Sequence, residues 1–254
     1  MGLEPRLSTP IRRLIEEAER AERGGERELA HDHDDTALDL LRGVDGSAGT
    51  MERFYTAVMR WAWTIESKDA YTRGHCERVA RYASALARDV GLDDMTIFWF
   101  RIGALLHDVG KIVVPSEILN KPGRLTAEER AVMERHAAAG ADLLSSIDFP
   151  WDILPMIRGH HERWDGRGYP DGLAGEAIPL CARIICVADV FDALTSDRPY
   201  RRGYSREKAL EIMAADRDSV FDGALLTRFE RLIEDPALCP ERLPIAAVSS
   251  ATVS

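Results

Sequence analysis

The stretch MTIFWFRIGALLHDVGK, residues 95–111, runs as an almost unbroken apolar pattern from Met95 to Leu106, stops at the polar doublet His107-Asp108, and then meets Gly110-Lys111. It is too long for an ordinary strand, so the pattern predicts a buried helix. The glycine that follows marks where such a helix would end. Two adjacent polar side chains at that point can project into one cavity.

Outward from this segment the helical pattern continues in both directions. Phe54, Val58, Trp61, Ala62 and Ile65 open it, and Leu225, Leu226, Phe229, Leu232 and Ile233 close it. Thr126-Ala-Glu-Glu129 has the form of a capping box and predicts a helix start after the loop NKPGR. A further helix is expected near Pro179. Its sequence, IPLCARIICVADVFDALTS, is apolar on nearly all sides and predicts a central buried helix. Asp189 on that helix is expected to be a buried carboxylate with a reason to be there. The fold class is therefore all-α. Residues 51–235 form the expected domain, 1–50 a short helical N-terminal extension and linker, and 236–254, rich in Pro, Ser and Thr, a loosely ordered tail.

Composition narrows the function. A formal net charge of −10 argues against general nucleic-acid binding, which relies on broad neutralisation of phosphates. It leaves room for a small anion in a locally basic pocket. Arg101, Arg183 and Asp189 interrupt the longest apolar runs, so no membrane span is expected. The N-terminal stretch lacks the order of a secretory signal, which makes the expected location cytoplasmic. Cys76, Cys181, Cys186 and Cys239 form no C-x-x-C pair and read as reduced thiols, neither a thiolate zinc site nor a disulfide framework. The first 50 residues hold 7 basic and 12 acidic side chains. His31 and His33 there read as part of a solvated linker. The short helical stripes of this region are a candidate for homodimerisation, although stripes of that length more often pack on their own domain.

The remaining histidines stand in helical settings. His75 is in register with Val79, Ala83 and Leu86, and His136 with Met133, Gly140 and Leu143, so both rings are expected to point inward. A lone inward histidine is usually a satisfied core residue. Here His107-Asp108 and the second doublet His160-His161 join them, with Asp189 as a further carboxylate. Imidazoles and carboxylates without thiolates suit borderline to hard divalent metals such as Fe, Mn, Co, Ni or Zn. Seven such groups exceed what one tetrahedral ion uses, and an Asp shared by two ions is the economical arrangement.

The ordered motifs His107-Asp108-Val-Gly-Lys111, IVVPSEILNKPGRLT, His136, HHERWDGRGYPDGL from His160, and VADVFDALTSDRPYR closely resemble the HD-GYP family of the HD metal-dependent phosphohydrolases. The resemblance runs from about Ile65 to Leu232. It implies an HD-domain helical bundle and a phosphodiesterase that hydrolyses cyclic di-GMP, or a related cyclic dinucleotide such as cyclic GMP-AMP, to linear pGpG and/or GMP through a hydroxide activated by two metals. Carried over by position, it implies that His75, His107, Asp108 and Asp189 hold one ion and Asp108, His136, His160 and His161 the other, with Asp108 as the catalytic bridge. The ions implied are Fe or Mn. Lys111 would face a substrate phosphate, and Arg198 and Arg201 would line the dinucleotide. Gly168-Tyr169-Pro170 reads from its composition as a rigid turn-dense lip. The resemblance adds a role in access or in docking diguanylate cyclase domains. Glu162 and Trp164 read as support and packing for the second doublet.

This chain departs from the family pattern in three places. Some members carry a Glu four residues before the first His ligand and are thought to hold a third metal through it. Tyr71 occupies that position here, which predicts two ions. Arg201 replaces a more usual Lys, and Cys76 a common Ser. Two other functions compete with the phosphodiesterase. A phosphohydrolase for dNTPs or guanosine tetraphosphate would need neither the second doublet nor the GYP loop. A sensor or partner-docking module would be expected to have lost ligands that this chain retains.

Overall fold

The computed structural model describes residues 58–59, 62–63, 65–66, 68–69, 74–145, 149, 151–197 and 201–239. The helical stripes of residues 1–50, His31, His33, Tyr71 and Arg198 lie outside these. The described residues form α1 (His75–Asp89), α2 (Asp94–Leu106), a 3-10 turn (Val109–Val113), α3 (Ser116–Leu119), α4 (Ala127–Leu144), α5 (Leu154–Gly159), α6 (Leu180–Thr195), α7 (Arg206–Ala215) and α8 (Gly223–Leu232). Among them there is no strand, only two isolated β-bridges, and the all-α expectation holds. No described helix is long and apolar enough to cross a membrane.

Local chemistry sets the helix ends that matter for the site. The predicted capping box at the start of α4 is present: the Thr126 hydroxyl accepts from Glu129 N, and the Glu129 carboxylate accepts from Thr126 N at 2.8 Å. The cap of α1 is less conventional. Gly74 adopts a left-handed conformation, φ 67°, and the buried Glu66 accepts from Gly74 N at 2.8 Å and from Cys76 N at 2.6 Å. These bonds satisfy free amides of the first turn. They also fix His75 as the first residue of α1, with its ring turned inward.

Helix α6 is the hub, packed against α1, α5, α7 and α8, while α2 packs on α1 and α5. Ile184, Ile185, Val187, Ala188 and Phe191 of α6 are fully buried. Phe191 meets Tyr82 and Phe229 edge-on, with centroids 5.3 and 5.1 Å away. Each such pair contributes about 0.5–1.5 kcal/mol beyond its buried area. Helix α4 lies so close to the 3-10 turn that a Cβ on Gly110 would collide with the carbonyl oxygen of His136 and lie 2.5 Å from Gly140 N. Two glycines thus let one backbone touch another where the site is built.

One expectation needs correction. Asp189 is not fully buried: its side chain keeps 17% of its exposure. The fully buried carboxylate of α6 is Asp192, one helical turn on. The stretch expected as a tail from Pro236 falls partly on described residues. Leu238 and Cys239 donate their amides to the Asp235 carbonyl and pack against the core, since both are apolar enough to cover the ends of neighbouring helices.

Candidate metal centre

His107 closes α2, and the chain then bends at Asp108, φ −94° and ψ 7°, into the 3-10 turn. That backbone lies in the sparsely allowed bridge region that active-site residues often occupy. The bend separates the two side chains of the doublet and sends the Asp108 carboxylate to the middle of the histidines. Its two oxygens face different partners. Oδ1 lies 3.3 Å from His136 Nε2 and 4.0 Å from His160 Nε2. Oδ2 lies 3.5 Å from His107 Nε2 and 3.7 Å from His75 Nε2.

Two overlapping sets of donor atoms result. Asp108, His136, His160 and His161 present atoms within 4.8 Å of one another, as do His75, His107 and Asp108. Asp108 belongs to both. Asp189 stands at the edge of the second set, with Oδ1 3.3 Å from His75 Nε2. The structure thus brings together the seven residues that the sequence singled out, Asp189 being the most peripheral.

The imidazoles are oriented by the backbone. The Nδ1 atoms of His107, His136 and His160 donate to the carbonyls three residues earlier, those of Ala104, Met133 and Ile157, at 2.7, 2.8 and 2.7 Å. A carbonyl can only accept, so each ring carries its proton on Nδ1 and turns the Nε2 lone pair into the cluster. His107 Nε2 is buried without a hydrogen-bond partner among the described residues. His136 Nε2 and His160 Nε2 point two lone pairs at each other across 3.3 Å, an arrangement that favours a cation between them. Burial pushes the titration of His136, His160 and His161 down, His161 to about 3, so these rings are neutral and ready to ligate. Nitrogen and oxygen donors without a thiolate fit a divalent transition metal.

His75 is oriented differently, by a residue that sequence reasoning missed. Its Nδ1 donates to Asp192 Oδ2 at 2.8 Å, and Asp192 is clamped in turn by Arg78 Nε at 2.6 Å and Nη2 at 3.1 Å. Burial would raise the Asp192 carboxyl, but His75 and Arg78 hold it down at about 2. For His75 burial is outweighed by Asp192, Asp189 and Asp108, which raise its titration. The signal for Asp192 was present in the sequence: a second Asp three residues after Asp189 falls on the same helical face.

Lys111 extends back over the doublet, with Nζ 2.7 Å from Asp108 Oδ2 and 3.3 Å from Asp69 Oδ2. Burial opposes its charge, yet Asp108 and Asp69 more than compensate and hold it as an ammonium. Burial likewise favours the neutral form of Asp108, but Lys111 and the surrounding imidazoles keep its carboxyl well below the usual range.

Beyond the histidines stands the loop of residues 168–170. Tyr169 stacks on His161, with ring centroids 4.8 Å apart and planes at 29°, and so walls one side of the cluster. The loop is pinned by the buried Glu162, which accepts from the amides of Asp171, Gly172 and Leu173 at 2.7 to 3.1 Å. Trp164 packs beneath the Arg183 guanidinium, 5.6 Å from its ring centre. Gly168 sits tightly enough that a Cβ would fall 2.3 Å or slightly more from the backbone at 161–163, another place where only glycine fits.

Arg201, which the resemblance placed along a substrate, is engaged at the end of α6. Its guanidinium donates to the carbonyls of Leu194, Ala193 and Arg202 and lies over the Tyr204 ring at 4.3 Å. The last carbonyls of α6 lack intrahelical partners, and a guanidinium satisfies them well.

Comparison with known proteins agrees with this geometry. A family model described as HD domain matches residues 62–225. The cyclic di-GMP phosphodiesterase response regulator RpfG of Xanthomonas campestris is 45% identical over 174 residues, 67% of this chain and 46% of its own length. The 3'3'-cGAMP-specific phosphodiesterase 3 of Vibrio cholerae is 43% identical over 159 residues, 62% of this chain and 34% of its own. The chain thus spans less than half the length of these curated relatives. An HDG"Y"P protein from Bdellovibrio bacteriovorus has a similar fold, with a TM-score of 0.55 and 18% identity over 88% of this chain and 78% of that one. A helical bundle that gathers His75, His107, His136, His160 and His161 around Asp108, and a family match spanning most of the described residues, place this chain in the HD-domain family.

Proposed function

We propose that this chain is a metal-dependent phosphodiesterase that opens a cyclic dinucleotide, cyclic di-GMP or 3'3'-cGAMP, to the linear dinucleotide and/or mononucleotides. The observation that carries this reading is the bridging position of Asp108, whose two oxygens face two separate groups of imidazoles. The names of the relatives, which act on these two classes of cyclic dinucleotide, support the substrate. In this reading His75, His107, Asp108 and Asp189 hold one divalent ion, Asp108, His136, His160 and His161 hold a second, and the ions are Fe or Mn. When bound, such a pair activates water and offsets negative charge at phosphorus.

The chain's own residues do the rest. The carbonyl-anchored imidazoles are held in one tautomer and one orientation before any ligand arrives, so little reorganisation is needed. Lys111 supplies a fixed positive charge beside Asp108, suited to a phosphate oxygen that enters the site. Tyr169, held by the Glu162-pinned loop, excludes water from the His161 side. The enzyme would work in the cytoplasm, where cyclic dinucleotides are made and read.

The test is to purify the protein anaerobically, count bound metals, and follow cyclic di-GMP and 3'3'-cGAMP by chromatography. Hydrolysis of either is expected, with the linear dinucleotide appearing first. An intact substrate alongside hydrolysis of a dNTP or guanosine tetraphosphate would overturn the assignment. Binding without hydrolysis would make the chain a sensor.

Asp192→Asn tests the support of His75. The amide cannot serve both the His75 N–H and Arg78 as the carboxylate does, and partners of this kind typically change metal affinity about 10–100-fold. Competition with a chromogenic chelator should show that loss for the ion on the His75 side, while the His136 side keeps its ion. Equal affinities in variant and parent would remove Asp192 from the site.

A further inference from the structure

Behind the metal cluster, on the far side of Asp192 from His75, lies a second cavity of about 450 Å³ that the proposed hydrolysis does not use. Arg78, Arg81 and Arg206 converge on it, from α1 and the first turn of α7, with Ser196, Tyr82 and Tyr204 completing its wall. Three guanidiniums around one cavity are conspicuous in a chain whose net charge is −10.

The nearby carboxylates do not consume them all. Asp192 is buried and already shared between Arg78 and His75. Glu207, the partner of Arg206, turns outward with 71% of its side chain exposed. Arg81 leans over the Tyr82 ring at 5.3 Å, and its Nε is buried with no hydrogen-bond partner among the described residues. Three guanidiniums on one cavity wall leave an excess of positive charge that two carboxylates, one buried and one turned to solvent, do not balance, so the site favours an anion. The N-terminal end of α7, capped by Ser205, also borders the cavity.

We infer that this cavity is a binding site for a phosphomonoester of mononucleotide size, its phosphate held by Arg78, Arg81 and Arg206 and its remaining bulk lying against Tyr82 and Tyr204. Guanidiniums match phosphate by paired, charge-assisted hydrogen bonds. The volume exceeds what inorganic phosphate fills and lies within the range of small-ligand pockets, roughly 300–1,000 Å³. Arg78 is both a wall of this cavity and the clamp on Asp192, so the site adjoins the metal centre without being part of it. The inference does not depend on which substrate the metal centre takes.

Calorimetric titration of the full metal-loaded chain with GMP, AMP, guanosine and inorganic phosphate tests it. GMP and AMP are expected to bind and guanosine not to, with affinity for the nucleotides falling about tenfold or more in Arg81→Gln and again in Arg206→Gln. Cyclic dinucleotide turnover and thermal unfolding should stay at the parental values in both variants, which separates this site from the active site and from misfolding. Nucleotide binding that persists in both variants but disappears on metal removal would put the ligand on the metal centre and overturn the inference. Binding of guanosine as tight as GMP, of inorganic phosphate alone, or of none of the four would overturn it equally.

Discussion

Asp108→Ala is expected to abolish turnover and to strip most of the bound metal from the protein. The carboxylate is the one group that faces both sets of imidazoles, Oδ1 towards His136 and His160 and Oδ2 towards His107 and His75. In the proposed two-ion arrangement its removal takes a ligand from each ion at once. It also leaves Lys111, 2.7 Å from Oδ2, with a buried ammonium whose main counter-charge is gone. A buried charge stripped of its partner costs about 3–5 kcal/mol. Elemental analysis should therefore show metal content falling from two ions per chain to one or none, together with loss of detectable hydrolysis. Substantial retained activity, or two ions still bound, would end the bridging role. Replacing a ligand to only one ion, as in His161→Ala, should leave the other ion in place, and that contrast separates bridging from general damage.

Gly110→Ala should be the most damaging conservative change outside the ligands. The added methyl would collide with the His136 carbonyl and approach Gly140 N, so α4 must move away from the 3-10 turn. Backbone atoms on both sides give way poorly. Overpacking of this kind costs about 3 kcal/mol at the upper end of the usual range. For a chain of this size each kcal/mol lowers Tm by about 2–4 °C, so a fall of about 6–12 °C is expected in a calorimetric scan. Because the displaced helix carries His136, metal affinity should fall with stability. An unchanged Tm would show that the close approach of α4 is not a rigid feature of the fold.

The sequence reached much of the candidate site because the candidate ligands sit where periodicity speaks clearly. His75 and His136 share buried faces of α1 and α4, and His107-Asp108 closes an apolar helix whose ending a glycine announces. Thr126 and Glu129 announced the start of α4 through contacts only three residues apart, which is why that boundary was legible. The ordered motifs then pointed to the family that the matched residues 62–225 bear out.

Other residues were illegible for an equally physical reason. Arg201 offered its charge to a reader of the sequence, yet the three-dimensional position of the last α6 carbonyls and of Tyr204 decides where its donors go. The spacing of Asp192 from Asp189 hinted at a second carboxylate on one face, but its role arises from His75 and Arg78, more than a hundred positions away in the chain. The cavity behind it joins α1 to the start of α7 and has no local signature at all. What the sequence by itself determined was the helical class and the candidate ligands, since those follow from residue type and short-range spacing. Only the tertiary structure decided that Asp108 faces both imidazole groups and that Asp189 keeps partial exposure while Asp192 is buried. Those outcomes depend on the angles at which helices cross, and crossing angles are set by packing between residues that the sequence keeps far apart.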